Sequence, residues 1–134
     1  YETPMQPDSK LAQLIRSLLR NLAAANADIE SSAVISTDGL VIATVLHQGV
    51  DSDRFGAMCA SLLALAERAA DEVGRGRLKQ TLVEGEQGSM LLVQAGDEAV
   101  LAIAAKTTVN LGRVFLDARR AATKVAELLA LRTP

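Results

Sequence analysis

Apolar residues recur at three- and four-residue steps through Leu11, Leu14, Ile15, Leu18, Leu19, Leu22 and Ala25, while Lys10, Gln13, Arg16, Ser17 and Arg20 fall opposite. That period predicts an amphipathic helix. Asp8 and Ser9, just after Pro7, can cap its start by accepting from an orphaned backbone N–H, and it should end near Asn26. From Ser32 to Leu46 the pattern changes to two runs rich in β-branched residues around Asp38-Gly39. A two-residue hairpin loop needs φ > 0, which Asp tolerates and Gly adopts freely, so a tight hairpin is expected.

A second helical pattern starts at Ser52 or Asp53 and runs to about Val73, before Gly74-Arg75-Gly76. Its stripe of Phe55, Met58, Cys59, Leu62, Leu65, Ala66, Ala69 and Val73 reads as core. The opposite side gathers Gly56, Ala60, Leu63, Ala64 and Glu67, where a solvated face would carry charges. Small residues four apart let another helix approach closely, so this side is expected to be a self-association face.

Three strands follow, from about Arg77 to Glu84, Ser89 to Ala95 and Ala99 to Ala105. The links Gly85 to Gly88 and Gly96 to Glu98 are short enough for an antiparallel meander. Met90 to Val93 and Val100 to Ala105 are apolar on both sides and must be covered on both sides. Lys79 and Gln80 make the first of these strands mixed, which suits a sheet edge, and an unpaired edge invites another chain. A last helix spans about Asn110 to Leu131, with Leu111, Val114, Phe115, Ala118, Ala122, Val125, Leu128 and Leu129 along one side. The order α-β-β-α-β-β-β-α predicts an α+β fold: a five-stranded antiparallel sheet between helical layers. One domain is expected over residues 8–131, preceded by a disordered or added tail over 1–7 with Met5 as a candidate native start.

Composition narrows the function. Of 134 residues 49% are hydrophobic but 2% aromatic, so the core is aliphatic and a base-stacking nucleic-acid platform is not expected. A net charge of −2 supports neither a phosphate-tracking groove nor an electrostatically held membrane face. No apolar run approaches the roughly 20 residues that span a bilayer. The polar start, Tyr1 to Asp8, shows no signal-peptide pattern, and the single Cys59 fits a reducing compartment, so a cytoplasmic location is expected.

Chemistry is sparse. His47, the one histidine, sits in a predicted loop without partners, and Cys59 falls on the stripe read as core. Glu67, Asp71 and Glu72 share a helical region with Arg68 and Arg75, which reads as a solvated charged end. No CxxC or HxxxH spacing supplies metal ligands, and no GxxxxGK[ST] or GxGxxG follows a strand. No catalytic residue, metal or cofactor is therefore expected.

Taken in order, these segments resemble the Roadblock/dynein-light-chain family. The resemblance rests on the leucine-rich first helix, Ser32-Ala-Val-Ile-Ser-Thr-Asp-Gly-Leu-Val-Ile-Ala43, the alanine-rich helix from Phe55 to Val73, Leu91-Leu-Val-Gln-Ala95, and Asn110-Leu-Gly112. It covers about Asp8 to Leu131 and implies a Roadblock, profilin-like fold. It also implies a homodimer, in which the edge carrying Arg77, Lys79, Thr81 and Val83 pairs with its twin to extend the sheet. The helices corresponding to Ser52–Val73 would lie side by side across the axis, and the first and last helices would cover the other face. Members that look like this often regulate or tether Ras-like small GTPases, whose own phosphate loop and magnesium do the chemistry. A non-enzymatic regulator or scaffold of such a GTPase is the leading expectation. Exposure predicted from the helical pattern places its partner-facing residues at Arg54, Glu67, Arg68, Asp71, Glu72 and Arg75. A small-molecule sensor or general interaction adaptor of the same fold is the alternative, and an enzyme using Cys59 or His47 a third.

Overall fold

The first amphipathic stretch forms α1, Ser9–Ala25, in a computed structural model that describes residues 9–108 and 110–131. The expected tail over 1–7, Met5 and the Asp8 cap lie outside the described residues. After α1 come β1 (Ile29–Ser36), β2 (Val41–Val45), α2 (Ser52–Glu72), β3 (Gln80–Gly85), β4 (Gly88–Ala95), β5 (Ala99–Lys106) and α3 (Leu111–Ala130). This is the order that the periodicities predict.

The strands form one sheet in the order β2-β1-β5-β4-β3, with every neighbouring pair antiparallel. β1 and β5 pair along their length, with Val34 opposite Leu101 and Ala33 opposite Ala102. Alternate residues of these strands enter two separate cores, which is why their sequences are apolar without alternation. Beneath α1 and α3, Ile15, Leu19, Val114, Ala118 and Val125 pack on Val34, Leu91, Leu101 and Ile103. Burying Ile15 and Leu19 completely is worth roughly 1.5–3 kcal/mol each. On the other face a smaller core joins Cys59 and Leu63 of α2 to Ala33, Ile35, Leu92, Val100 and Ala102.

A polar clasp fastens the α1 end to the α3 start. Buried Asn26 donates through Nδ2 to Asp117 Oδ2 at 2.9 Å, and its Oδ1 accepts from the Asp28 backbone N–H at 3.0 Å. Arg113 Nε donates to the same Asp117 oxygen at 3.2 Å, and the Thr108 hydroxyl donates to Asp28 Oδ2 at 2.7 Å.

The fold corrects three local expectations. The β1–β2 loop is not the two-residue turn expected of Asp38-Gly39. Among the described residues only glycines have positive φ, so Asp38 does not adopt the left-handed conformation that loop requires. Instead the Ser36 carbonyl accepts from Gly39 N–H at 2.9 Å, Gly39 takes φ +93°, and Ser36 N–H donates to the Leu40 carbonyl at 2.8 Å. That is a three-residue loop with glycine at its left-handed position.

α2 is also rotated from its expected orientation, although Cys59 is buried and Ala64 and Glu67 are exposed as expected. Gly56 and Leu63, expected to face outward, are buried against the chain's own sheet, and Ala60 is half-buried beside Gly39. Met58, Leu65 and Val73, expected in the core, are 61%, 63% and 62% exposed. The reason is distance: a Cβ on Gly56 would lie 2.9 Å from Val41 Cγ2 and 3.0 Å from the Gly39 carbonyl oxygen. The small side of the helix does permit close approach, but the approaching partner is the β1–β2 hairpin.

Finally, β3 begins at Gln80, so Arg77 and Lys79 precede the strand expected to contain them. The chain leaves α2 through Gly74 and Gly76, both at positive φ, and half-buried Leu78 packs on the smaller core before pairing begins.

Two glycine substitutions should move stability in opposite directions. Gly56→Val is expected to cost about 1–3 kcal/mol through overpacking. Gly112→Ala, in the first turn of α3 where an added Cβ meets nothing within 4 Å, should gain up to about 1 kcal/mol from reduced chain entropy. Urea unfolding midpoints of the two variants check both signs.

Candidate partner-binding surface

α2 begins where Asp51 accepts from the Arg54 backbone N–H at 3.2 Å, and its axis is set by the contact of Gly56 with the hairpin. It packs on β1 and β2, at one side of the sheet. Because Gly56, Cys59 and Leu63 turn inward, Met58 and Leu65 turn away. Phe55, Ala57, Met58, Cys59, Ser61, Leu62 and Leu65, with Met90 of β4, line an open apolar groove of ≈ 490 Å³. Met58 and Leu65 stand more exposed than an aliphatic side chain in a finished core.

The groove borders the open side of the sheet. Thr81 and Val83 alternate with Gln80 and Leu82 along β3, opposite Leu92 and Met90 of β4. Thr81 is half-buried, its hydroxyl without a hydrogen-bond partner among the described residues, while Val83 is 42% exposed. β3 is the terminal strand, so its outward backbone N–H and C=O groups face no neighbouring strand.

Of the residues expected at a self-association face, Ala64 and Glu67 are exposed on α2 and Thr81 and Val83 lie on β3. Glu67 accepts from Gln94 Nε2 at 3.2 Å, which holds the far end of α2 against β4. Exposed Arg77 contacts Asp97 at 3.3 Å, and Lys79 is exposed beside the start of β3. Arg54, Arg68, Asp71, Glu72 and Arg75 are all exposed, spread from the first turn of α2 to the loop beyond its end. Asp71 and Glu67 border a shallow cleft of ≈ 270 Å³ with Arg77, Leu78 and Gln94, whereas Arg54 is at the opposite end of the helix. The expected charged set is therefore not one cluster. Met58, Leu62, Leu65 and Met90, which line the groove, are residues that the sequence pattern had assigned to the covered interior. The signal for them was present in the apolar character of both sides of α2.

The reactive side chains are dispersed. His47 is exposed in the loop after β2, 3.7 Å from Glu30 Oε2, and its backbone N–H donates to Ser31 Oγ at 2.9 Å. Cys59 is buried under α2, where desolvation pushes its thiol up from 9.0 to about 11 and keeps it protonated at neutral pH. No group of three or more His, Cys, Asp or Glu side chains suited to a metal ion occurs among the described residues. Their helices include none long and apolar enough to cross a membrane.

The Roadblock/LC7 domain profile matches residues 15–105. An uncharacterized protein of Methanocaldococcus jannaschii is 44% identical over 97 residues, covering 72% of this chain and 84% of its own. Among solved structures, Myxococcus xanthus MglB superposes with TM-score 0.83 at 16% identity, covering 97% of each chain. A Roadblock/LC7 domain from Streptomyces avermitilis gives TM-score 0.79 at 22% identity, covering 86% of this chain and 97% of the other. At these identities the superpositions establish a shared fold.

The raised Cys59 value carries a sign. Because the folded thiol holds its proton to higher pH than the unfolded one, its stabilising effect is complete below about pH 8.5 and is lost as pH rises toward about 11. In that window stability should fall by about 1.4 kcal/mol per pH unit on account of this residue. Denaturant unfolding of the wild type and Cys59→Ala across the alkaline range tests it: the decline should be shallower in the variant.

Proposed function

The chain belongs to the Roadblock/LC7 family, and from that membership we propose that it is a non-enzymatic, homodimeric regulator or scaffold of a Ras-like small GTPase, acting in the cytoplasm. The observation that carries this reading is the apolar outer face of α2, with Met58 and Leu65 more than half exposed, continuous with the open edge of β3. An exposed aliphatic face beside an unpaired strand is an incomplete surface, and a second copy completes both parts at once. In the dimer α2 lies along its twin through Met58, Leu62, Ala64 and Leu65, and β3 pairs with β3 through the strand carrying Thr81 and Val83. Gly56 and Leu63 serve it indirectly, by seating α2 on its own sheet.

The paired helices then present Arg54, Glu67, Arg68, Asp71, Glu72 and Arg75 around a two-fold axis as the surface for the GTPase. The partner supplies the phosphate loop and magnesium. The dimer docks on a switch segment and biases its order–disorder equilibrium, which can speed hydrolysis by positioning the partner's own groups. A small-molecule sensor of the same fold would need convergent polar groups in its pocket. The α2 groove offers Ser61 alone among apolar residues, which favours a protein occupant.

Light scattering should return a dimer at micromolar concentration for the wild type and a monomer for Met58→Glu/Leu65→Glu, with circular dichroism unchanged because both positions are already exposed. A monomeric wild type sinks the interface. For the second half of the proposal, Ras-like GTPases encoded beside this chain should bind the dimer with different affinity in their GDP and GTP states. Equal affinity for the two would exclude a nucleotide-dependent role, since it cannot shift the switch equilibrium.

A further inference from the structure

The chain's small net charge conceals a strong separation of sign. α1 and α3 together carry seven basic residues against two acids, Asp117 and Glu127, a net +5 on a chain whose total is −2. The other described segments carry twelve acids against six basic residues. α1 and α3 pack against each other on one face of the sheet, so the positive charge is collected in a single layer.

Three of the seven are engaged: Arg113 with Asp117, Arg119 with Gln80, and Lys10 within the chain. Arg16, Arg20, Arg120 and Lys124 are exposed and have no ion-pair or hydrogen-bond partner among the described residues. At 100° per residue, Arg20 and Arg120 point directly away from the buried stripes of their helices, and Arg16 projects at the α1 flank. Lys124 and Arg120 line a shallow groove of ≈ 260 Å³ between the helices, with Leu18 and Asn21. Leu14 and Leu116 stand 48% and 39% exposed on the same layer.

We propose that the outer face of α1 and α3 is a peripheral docking surface for a bilayer leaflet rich in anionic phospholipid. The charge balance of the whole chain does not oppose this. A helix diameter of about 10–12 Å plus the sheet separates the face from the acids of α2, more than the Debye length of about 8 Å at physiological salt. A surface against α1 and α3 therefore senses their charge first, together with that of Asp28 in the adjoining clasp, and the acids of α2 from farther away. The net-charge argument against an electrostatically held membrane face averages over two sides that lie at different distances from such a surface.

Four features favour a membrane over other partners. The four free cations are spread over two neighbouring helices rather than converging on one point, which matches an extended negative plane. Exposed Leu14 and Leu116, each about one turn before the cations of its helix, suit the headgroup boundary, where aliphatic side chains and basic residues act together. Single-stranded nucleic acid is disfavoured because Phe115, the phenylalanine of this layer, is turned into the core and offers no stacking platform. A second copy is disfavoured too, because the acids are scattered over Asp28, Glu30, Asp38, the α2 region, the β3–β4 hairpin and Asp97-Glu98 instead of forming one matching face. Attachment is by contact with headgroups; no helix among the described residues is long and apolar enough to span a bilayer. It needs no GTPase and is independent of the reading above.

The test is flotation of the full chain with vesicles of phosphatidylcholine alone, and of phosphatidylcholine mixed with phosphatidylglycerol. Binding is expected to the mixed vesicles only, and to weaken as sodium chloride is raised. Neutralising Arg20→Gln and Arg120→Gln should each weaken it roughly fivefold, and Arg20→Glu/Arg120→Glu/Lys124→Glu should abolish it. Lys106→Glu, at the end of β5, is the control for charge alone and should weaken it less than Arg120→Glu. Circular dichroism confirms that each variant is folded. The proposal is overturned by failure to float with the mixed vesicles at low salt, by equal binding to phosphatidylcholine, or by equal effects of Lys106→Glu and Arg120→Glu. Preference for duplex DNA or an acidic protein over the mixed vesicles, lost in the same triple variant, overturns it in favour of that partner.

Discussion

The seating of α2 on the β1–β2 hairpin is the contact on which the rest of the molecule turns. At Gly56 the helix comes so near Val41 and the Gly39 carbonyl that a single added carbon would collide. Such an approach fixes the rotation of the helix about its own axis. Once Gly56, Cys59 and Leu63 point to the sheet, Met58 and Leu65 have nowhere to go but outward. Both sides of α2 are apolar, and packing decides which of them becomes the surface. It also explains why the three-residue turn matters: Gly39 at positive φ places its carbonyl against the helix, coupling a local backbone choice to the orientation of a distant surface.

The two sides of the sheet are unequally invested. Beneath α1 and α3 a broad aliphatic core is closed by the Asn26–Asp117–Arg113 clasp, whose groups would be costly to bury alone but satisfy one another. Under α2 the core is small, and it ends where Met90 and Val83 begin to show. Stability accordingly resides on the first side and leaves the second free to serve as a surface. The division of charge runs across the same plane, so the two faces differ in both hydrophobicity and sign.

Where a pattern had one physical interpretation, it was legible. Leu11, Ile15, Leu19 and Leu22 are buried at the helical period, and the two-sided apolar runs are covered on both faces over Leu91–Val93 of β4 and Val100–Ile103 of β5. The ordered set of segments also carried the Roadblock resemblance, which the domain profile matches over residues 15–105. Where two interpretations competed, bulk misled. Both sides of α2 are apolar, and transfer energy favours burying Met58 and Leu65 over Gly56 and Ala60; close approach to the hairpin outweighs it, a constraint that lies in three dimensions. The Asn26 clasp joins residues 91 positions apart and left no local mark. The partition of charge was countable from the start, but it acquires meaning only once α1 and α3 are known to be neighbours.

The two ends of the sheet have different prospects for growth. β2 is five residues long, is paired to β1 across a bulge, and lies against α1, a short irregular edge of the kind that resists further pairing. β3 is regular along its whole pairing with β4. A ribbon that can lengthen from one end alone cannot polymerise: joining like to like through β3 uses up the growing end of both halves and leaves blunt termini outside. Under the proposed pairing the assembly would count to two and stop, which would guard it against running on into a fibre.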